Sequence, residues 1–146
     1  MKDGDILIKG LTPSKEVLKN LRNIPHSSLV HNNTLKLSYI PYEISKILSI
    51  NVGISIKTFK KTKLKKGCKV NIIGFRNIDI DYVAEESKDK VHQLNYKIPF
   101  STEIYYGYDR GDVKGVYVPV DKLYYKIVNP KEVMVITRAY IAPLCG

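Results

Sequence analysis

The chain has 146 residues, 44% of them apolar, and its 24 Lys/Arg outweigh 14 Asp/Glu for a net charge of +10. That length suits one domain with a real core. No apolar run reaches the roughly 18 residues of a membrane span, and MKDGDILIKG at the N-terminus lacks the apolar stretch of a secretory signal, so a cytoplasmic, intracellular protein is expected.

In chain order, DILIKG (5–10) alternates Ile6 and Ile8 and reads as a short strand. Thr12 is placed to cap a helix with Pro13 at its first position, and Val17, Leu18 and Leu21 would share one face. Asn32-Asn33 looks like a turn leading into TLKLSYIP (34–41), where Leu35, Leu37 and Tyr39 alternate with Lys36 and Ser38. Pro41 then starts a second short helix over about 41–49, with Ile44, Ile47 and Leu48 at helical spacing.

Beyond Gly53 the sequence turns largely β. Val52, Ile54 and Ile56 alternate, and CKVNIIGF, NIDIDYVA, YKIPFSTEIYYGY, KGVYVPV, KLYYKIV and EVMVITRAYIA each read as strands. AEESKDKVHQL (84–94) reads as a loop or one amphipathic turn, and the glycines at 107, 111 and 115 bracket a tight hairpin. A helix-turn-helix fails at residues 39–61, because period 2 describes VGISIKTF better than period 3.6.

The strand–helix–strand reading rests on Ile40, Pro41, Glu43, Ile44, Leu48, Ile50 and Gly53. At this spacing the stretch of about residues 27–74 resembles the AbrB/SpoVT/MazE-type swapped-hairpin domains. SSLVHNNTLKLSY has about the length of that family's first hairpin. The resemblance implies a homodimer built by hairpin exchange, with basic residues of the interlocked sheet laid on DNA. Ser49 stands where the family has Gly, and Ile54 where it has an acid; the basic residues expected on the first hairpin are sparse, and His31, Lys36 and Lys46 are what remain.

The positive charge is one-sided. Residues 1–76 carry 15 Lys/Arg and 4 Asp/Glu, whereas residues 77–146 carry 9 and 10. The excess peaks at KTFKKTKLKKGCK (57–69), which holds seven lysines and no acid. Such a run attracts phosphate backbones through a salt-sensitive, sequence-independent term, or keeps a hairpin from pairing edge to edge. Only Arg22, Arg76, Arg110 and Arg138 are present to read guanine. Nine of the eleven tyrosines lie beyond residue 77, either as sheet residues or as platforms for unpaired bases.

Catalytic signals are sparse. Asp79 and Asp81 share one strand face and Glu86-Ser87-Lys88 supplies an E-x-K triplet, the outline of a Mg²⁺-dependent nuclease, but Glu86 follows Asp81 too closely to come from a neighbouring strand. His26, His31 and His92 lack metal-ligand spacing, Cys68 and Cys145 form no CxxC, and no phosphate-binding glycine motif appears. Arg110-Gly111-Asp112 reads as a hairpin tip.

The sequence therefore predicts a strand-rich single α+β domain over 1–146 with two short helices. Residues 1–76 would form the basic strand–helix–strand half, in which the resemblance over about 27–74 implies a swapped-hairpin, β-barrel-like dimer core, and residues 77–146 would form a β-rich, tyrosine-rich lobe. The expected function is a DNA-binding transcription regulator, DNA before RNA, without enzymatic step, cofactor or metal. Lys57, Lys60, Lys61, Lys63, Lys65, Lys66 and Lys69 would contact phosphates, helped by Lys36 and Lys46. The alternative is a small protein-binding inhibitor or antitoxin-like protein of viral or plasmid type, with residues 77–146 open to a protein partner. The metal-dependent nuclease stands third.

Overall fold

The computed structural model describes residues 6–36 and 43–146. Within them the elements follow as β1 (Leu7–Lys9), α1 (Ser14–Asn20), β2 (Ser27–Lys36), β3 (Ile44–Lys63), β4 (Cys68–Ala84), β5 (Ser87–Tyr106), β6 (Val113–Tyr117), β7 (Val120–Asn129) and β8 (Glu132–Cys145). The fold is mostly β. The α+β expectation with two short helices is overturned, because one short helix is all the described residues contain.

The first sheet has the order β1-β3-β4-β5, with β1 parallel to β3 and the other neighbours antiparallel. In the second, β8 pairs antiparallel with β2 along one edge and with β7 along the other, and its residues 142–145 pair with β6. β4 explains how the sheets meet: burial alternates along all 17 of its residues. Val70, Ile72, Ile78, Ile80 and Tyr82 all point inward and are fully buried. Each such isoleucine contributes about 1.5–3 kcal/mol of transfer free energy, and a slip of one residue would turn the whole row outward. Leu35 of β2 and Val133, Val135 and Ala139 of β8 pack on the same cluster, so the sheets face each other as a sandwich. A second cluster joins Cys68, Val70, Ile72, Ile104 and Tyr106 to Ile141. α1 closes one side by burying Val17 and Leu21 against Ala142.

Several sequence expectations are corrected. No helix covers 44–49: β3 already runs from Ile44, and Pro41 and Tyr42 lie outside the described residues. The register of β3 on β4 shifts between Ile44 and Lys46 and again between Ile47 and Ser49. Each bulge inserts one extra residue, so Ile44, Ile47 and Ile50 face the core at intervals of three, which imitates a helix. Asn32-Asn33 makes no turn, because β2 passes straight through both while pairing with β8. A swapped first hairpin is thereby excluded over residues 27–36.

In α1, Pro13 rather than Thr12 is the N-cap residue, and Leu18 faces solvent. Thr12 instead donates its backbone N–H to Val120 O at 2.8 Å. Residues 68–84 form one strand rather than two, and β5 starts at Ser87 after a short turn. The segment 107–112 is a crossing between sheets, since β5 and β6 belong to different ones.

A polar crossing separates the two main clusters. Arg76 lies on the inner face of β4 and is 1% exposed. Its Nη1 donates to Thr137 Oγ1 at 2.8 Å and its Nη2 to Asn33 Oδ1. Burial lowers its pKa to about 10, which leaves it charged at neutral pH. His31, one inward position from Asn33 on β2, stacks at a tilt on Phe100, with ring centroids 5.4 Å apart.

Burial first, and the Arg76 charge second, hold the His31 pKa below its ordinary value. The unfolded chain therefore takes up this proton before the folded one does. Stability is expected to fall as pH drops through about 6.5 and on toward the lowered folded-state pKa. Melting temperatures of wild type and His31→Gln between about pH 7 and 5 check this. A slope identical in both proteins would assign the acid sensitivity to another group.

Candidate interaction surface

The lysine run forms the β3–β4 hairpin. Leu64 N–H donates to Gly67 O at 3.0 Å across the turn, and Gly67 takes φ +84. A further bulge between Ile56 and Thr58 resets the strand, so Lys61 and Lys63 oppose Val70 and Cys68 on the inward side. Lys60 opposes Asn71 and Lys69 opposes Thr62 on the outward side, while Lys65 and Lys66 stand on the turn. Alternation thus sends the lysines to two faces and a tip.

Two of the seven are tied down. Lys61 Nζ donates to Asp109 Oδ1 at 2.8 Å and to Gly111 O at 2.9 Å, and Lys63 Nζ lies 3.5 Å from Asp109 Oδ2. The Lys61 hydrogen bond, followed by the Gly111 N–H, holds the Asp109 pKa down to about 2. These contacts clip the 107–112 crossing onto the hairpin. Lys57, Lys60, Lys65, Lys66 and Lys69 have no carboxylate partner among the described residues.

Lys36 and Lys46 do not join them. Lys46 opposes Val83 at the far end of β3, on the order of 50 Å along the strand from the hairpin turn. Lys36 sits on the other sheet, opposite Glu132.

Asp79 and Asp81 share the outward face of β4, as expected. Asp81 accepts from Ser49 Oγ at 2.9 Å and Gln93 Nε2 at 3.0 Å, and Glu86 accepts from Glu43 N–H at 3.3 Å. Neutral groups thus occupy these carboxylates, and among the described residues no group of three or more His, Cys, Asp or Glu could hold a metal. Tyr105, opposite Lys69, is exposed, but its hydroxyl donates to Glu103 at 2.8 Å, which places a carboxylate beside that ring.

Sequence reasoning missed Asp109 and its neighbour Arg110 as parts of this surface. Arg110 Nη1 donates to Asn23 O at 3.2 Å and Nη2 to Tyr108 Oη at 2.6 Å, with the guanidinium 4.9 Å from the Tyr108 ring centroid. Asn23 and Lys61, the distant partners of Arg110 and Asp109, lie 87 and 48 positions away, and no local pattern announces them. No helix among the described residues is long and apolar enough to cross a membrane.

The site therefore belongs to a two-sheet β-sandwich with a charged hairpin at one end. A family model described as SipL, SPOCS domain matches residues 43–128, from the start of β3 almost to the end of β7 and including the whole hairpin. The chain belongs to the SipL SPOCS-domain family. This overturns the resemblance to AbrB/SpoVT/MazE-type domains, and the homodimer expected from hairpin exchange loses its basis with it. No curated protein and no solved structure matches the chain.

Proposed function

We propose that this domain is a non-catalytic protein-interaction module that docks an acidic protein partner on the β3–β4 hairpin. The observation that carries the reading is the set of five hairpin lysines without a carboxylate partner among the described residues, on a hairpin held in place by the Lys61–Asp109 contact. Uncompensated charge of this kind steers an oppositely charged partner and sets its orientation. A protein fits better than a phosphate track, because Asp109 already holds the inward pair Lys61 and Lys63, and the outward face of the same sheet carries Asp79, Asp81 and Glu103. No arginine lies within the lysine run of residues 57–69 to read bases.

Nucleic acid, DNA before RNA, is the second reading, favoured by seven lysines without an acid over residues 57–69. Fluorescence anisotropy at low and physiological salt separates the two. The probes are a labelled Glu/Leu peptide, duplex DNA, and single-stranded DNA and RNA. The peptide is expected to bind, and the quadruple variant Lys57→Ser, Lys60→Ser, Lys65→Ser, Lys66→Ser is expected to weaken it by about tenfold or more. Tighter binding of duplex DNA, with a steep salt slope that the same variant flattens, would select the second reading.

A further inference from the structure

We infer that the cavity beside the 107–112 crossing is an anchor pocket for an acidic peptide, taking one large apolar side chain with a carboxylate at its rim. The inference rests on the protein-interaction reading and names the chemistry of that partner. The cavity measures about 200 Å³ and is lined by Ile24, Pro25, Arg110, Pro143, Leu144 and Cys145. Four of the six are apolar, and the volume suits a single leucine- or phenylalanine-sized group.

Arg110 sets the polarity of the rim. Its two hydrogen bonds run to a backbone carbonyl and a tyrosine hydroxyl, both neutral, and it has no carboxylate partner among the described residues. A guanidinium carries five N–H donors, so the fork retains donors for a carboxylate, its preferred bidentate partner. The adjacent residue Asp109 is the one that clamps Lys61 and Lys63. Through Asp109 the segment that carries Arg110 is tied to the lysine hairpin, so the apolar hole has a cationic rim of its own and the free hairpin lysines on the neighbouring element. An apolar side chain flanked by Asp or Glu is complementary to both parts. A nucleic acid could satisfy the charge but leaves the apolar hole unfilled.

Cys145 is a reporter built into the wall. Its Sγ lies 3.8 Å from Tyr106 Oη, whereas Cys68, the other thiol, is 1% exposed. Aryl disulfides report on the pocket, because the Cys145 thiolate attacks one sulfur, forms a mixed disulfide and releases the other half as aryl thiolate. Dithiobis(nitrobenzoate) carries carboxylates, and dithiodipyridine is neutral.

Relative to N-acetylcysteine, Cys145 is expected to favour the anionic reagent, and Arg110→Gln is expected to cut that preference about tenfold. Cys145→Ser should remove the fast phase, which assigns it. The labelled Glu/Leu peptide should protect Cys145 from both reagents, and Leu144→Arg should weaken its binding by about tenfold. An unchanged reagent preference in Arg110→Gln overturns the pocket, as does protection by duplex DNA in place of peptide. A peptide that binds through the lysines yet leaves Cys145 reactive also overturns it while sparing the proposed function. A peptide that does not bind at all overturns both.

Discussion

Replacing Arg76 with alanine is expected to lower unfolding free energy by about 3–5 kcal/mol, whereas Arg76→Met is expected to cost less than about 2. Arg76 is among the largest fully buried side chains, so alanine leaves a cavity between the two core clusters. It also removes the donors to Thr137 Oγ1 and Asn33 Oδ1. Methionine forfeits the same hydrogen bonds but fills most of the space and carries no charge that needs solvating. Nε has no partner among the described residues, and no carboxylate balances the guanidinium there, so the wild-type residue already bears an uncompensated desolvation cost. Urea midpoints at constant m-value measure both variants. Equal losses for Ala and Met would show that the hydrogen bonds, not the filled volume, hold the sheets together at this point.

Gly67→Ala is expected to destabilise the protein by about 3 kcal/mol or more and to disturb the lysine tip along with it. At φ +84 an L-residue is strained, and the added Cβ would sit 2.0 Å from Tyr106 O and 2.9 Å from the Gly107 carbonyl carbon. Both are backbone atoms of the segment leading into the Asp109 clamp, so neither yields without moving that crossing. Gly53→Ala is the control, because nothing lies within 4 Å of the Cβ it would add. It should fall within about 0.5 kcal/mol of wild type or slightly above it. Thermal unfolding gives the stability ranking. Hydrogen exchange at Cys68–Val70 shows whether the loss starts at the tip. Equal tolerance of both substitutions would mean that the turn adapts freely.

Most of the strands were legible, because half-buried β-structure writes its period into the sequence. Ile78, Ile80 and Tyr82 against Asp79, Asp81 and Val83 is such a case. The failures have physical causes. Two bulges gave Ile44, Ile47 and Ile50 the spacing of a helix, and that imitation also supplied part of the mistaken family resemblance.

Asn32-Asn33 looked like a turn because asparagine is common there. In the structure Asn33 points inward as the acceptor for Arg76, a partner 43 positions away that no local window contains. The lysine run was legible as charge and invisible as geometry. A bulge at Ile56/Thr58 decides which lysines turn inward, and Asp109, 48 positions from Lys61, decides which of them are neutralised.

The pairing of β2 with β8 has a consequence for biosynthesis. Ser27 meets Ile141 and Lys36 meets Glu132, so β2 waits for a partner synthesised after β3, β4, β5, β6 and β7. β3, β4 and β5 can zip up as successive hairpins as soon as each has left the ribosome, because every loop they close is short. The inward row of this meander then stays uncovered until β8 arrives and gathers β2, β6 and β7 around itself. Nascent chains halted before Glu132 should hold a protected β3–β4–β5 unit that binds hydrophobic dyes and chaperones. Completion of the sandwich is thus the arrival of one strand, on which an entire sheet depends.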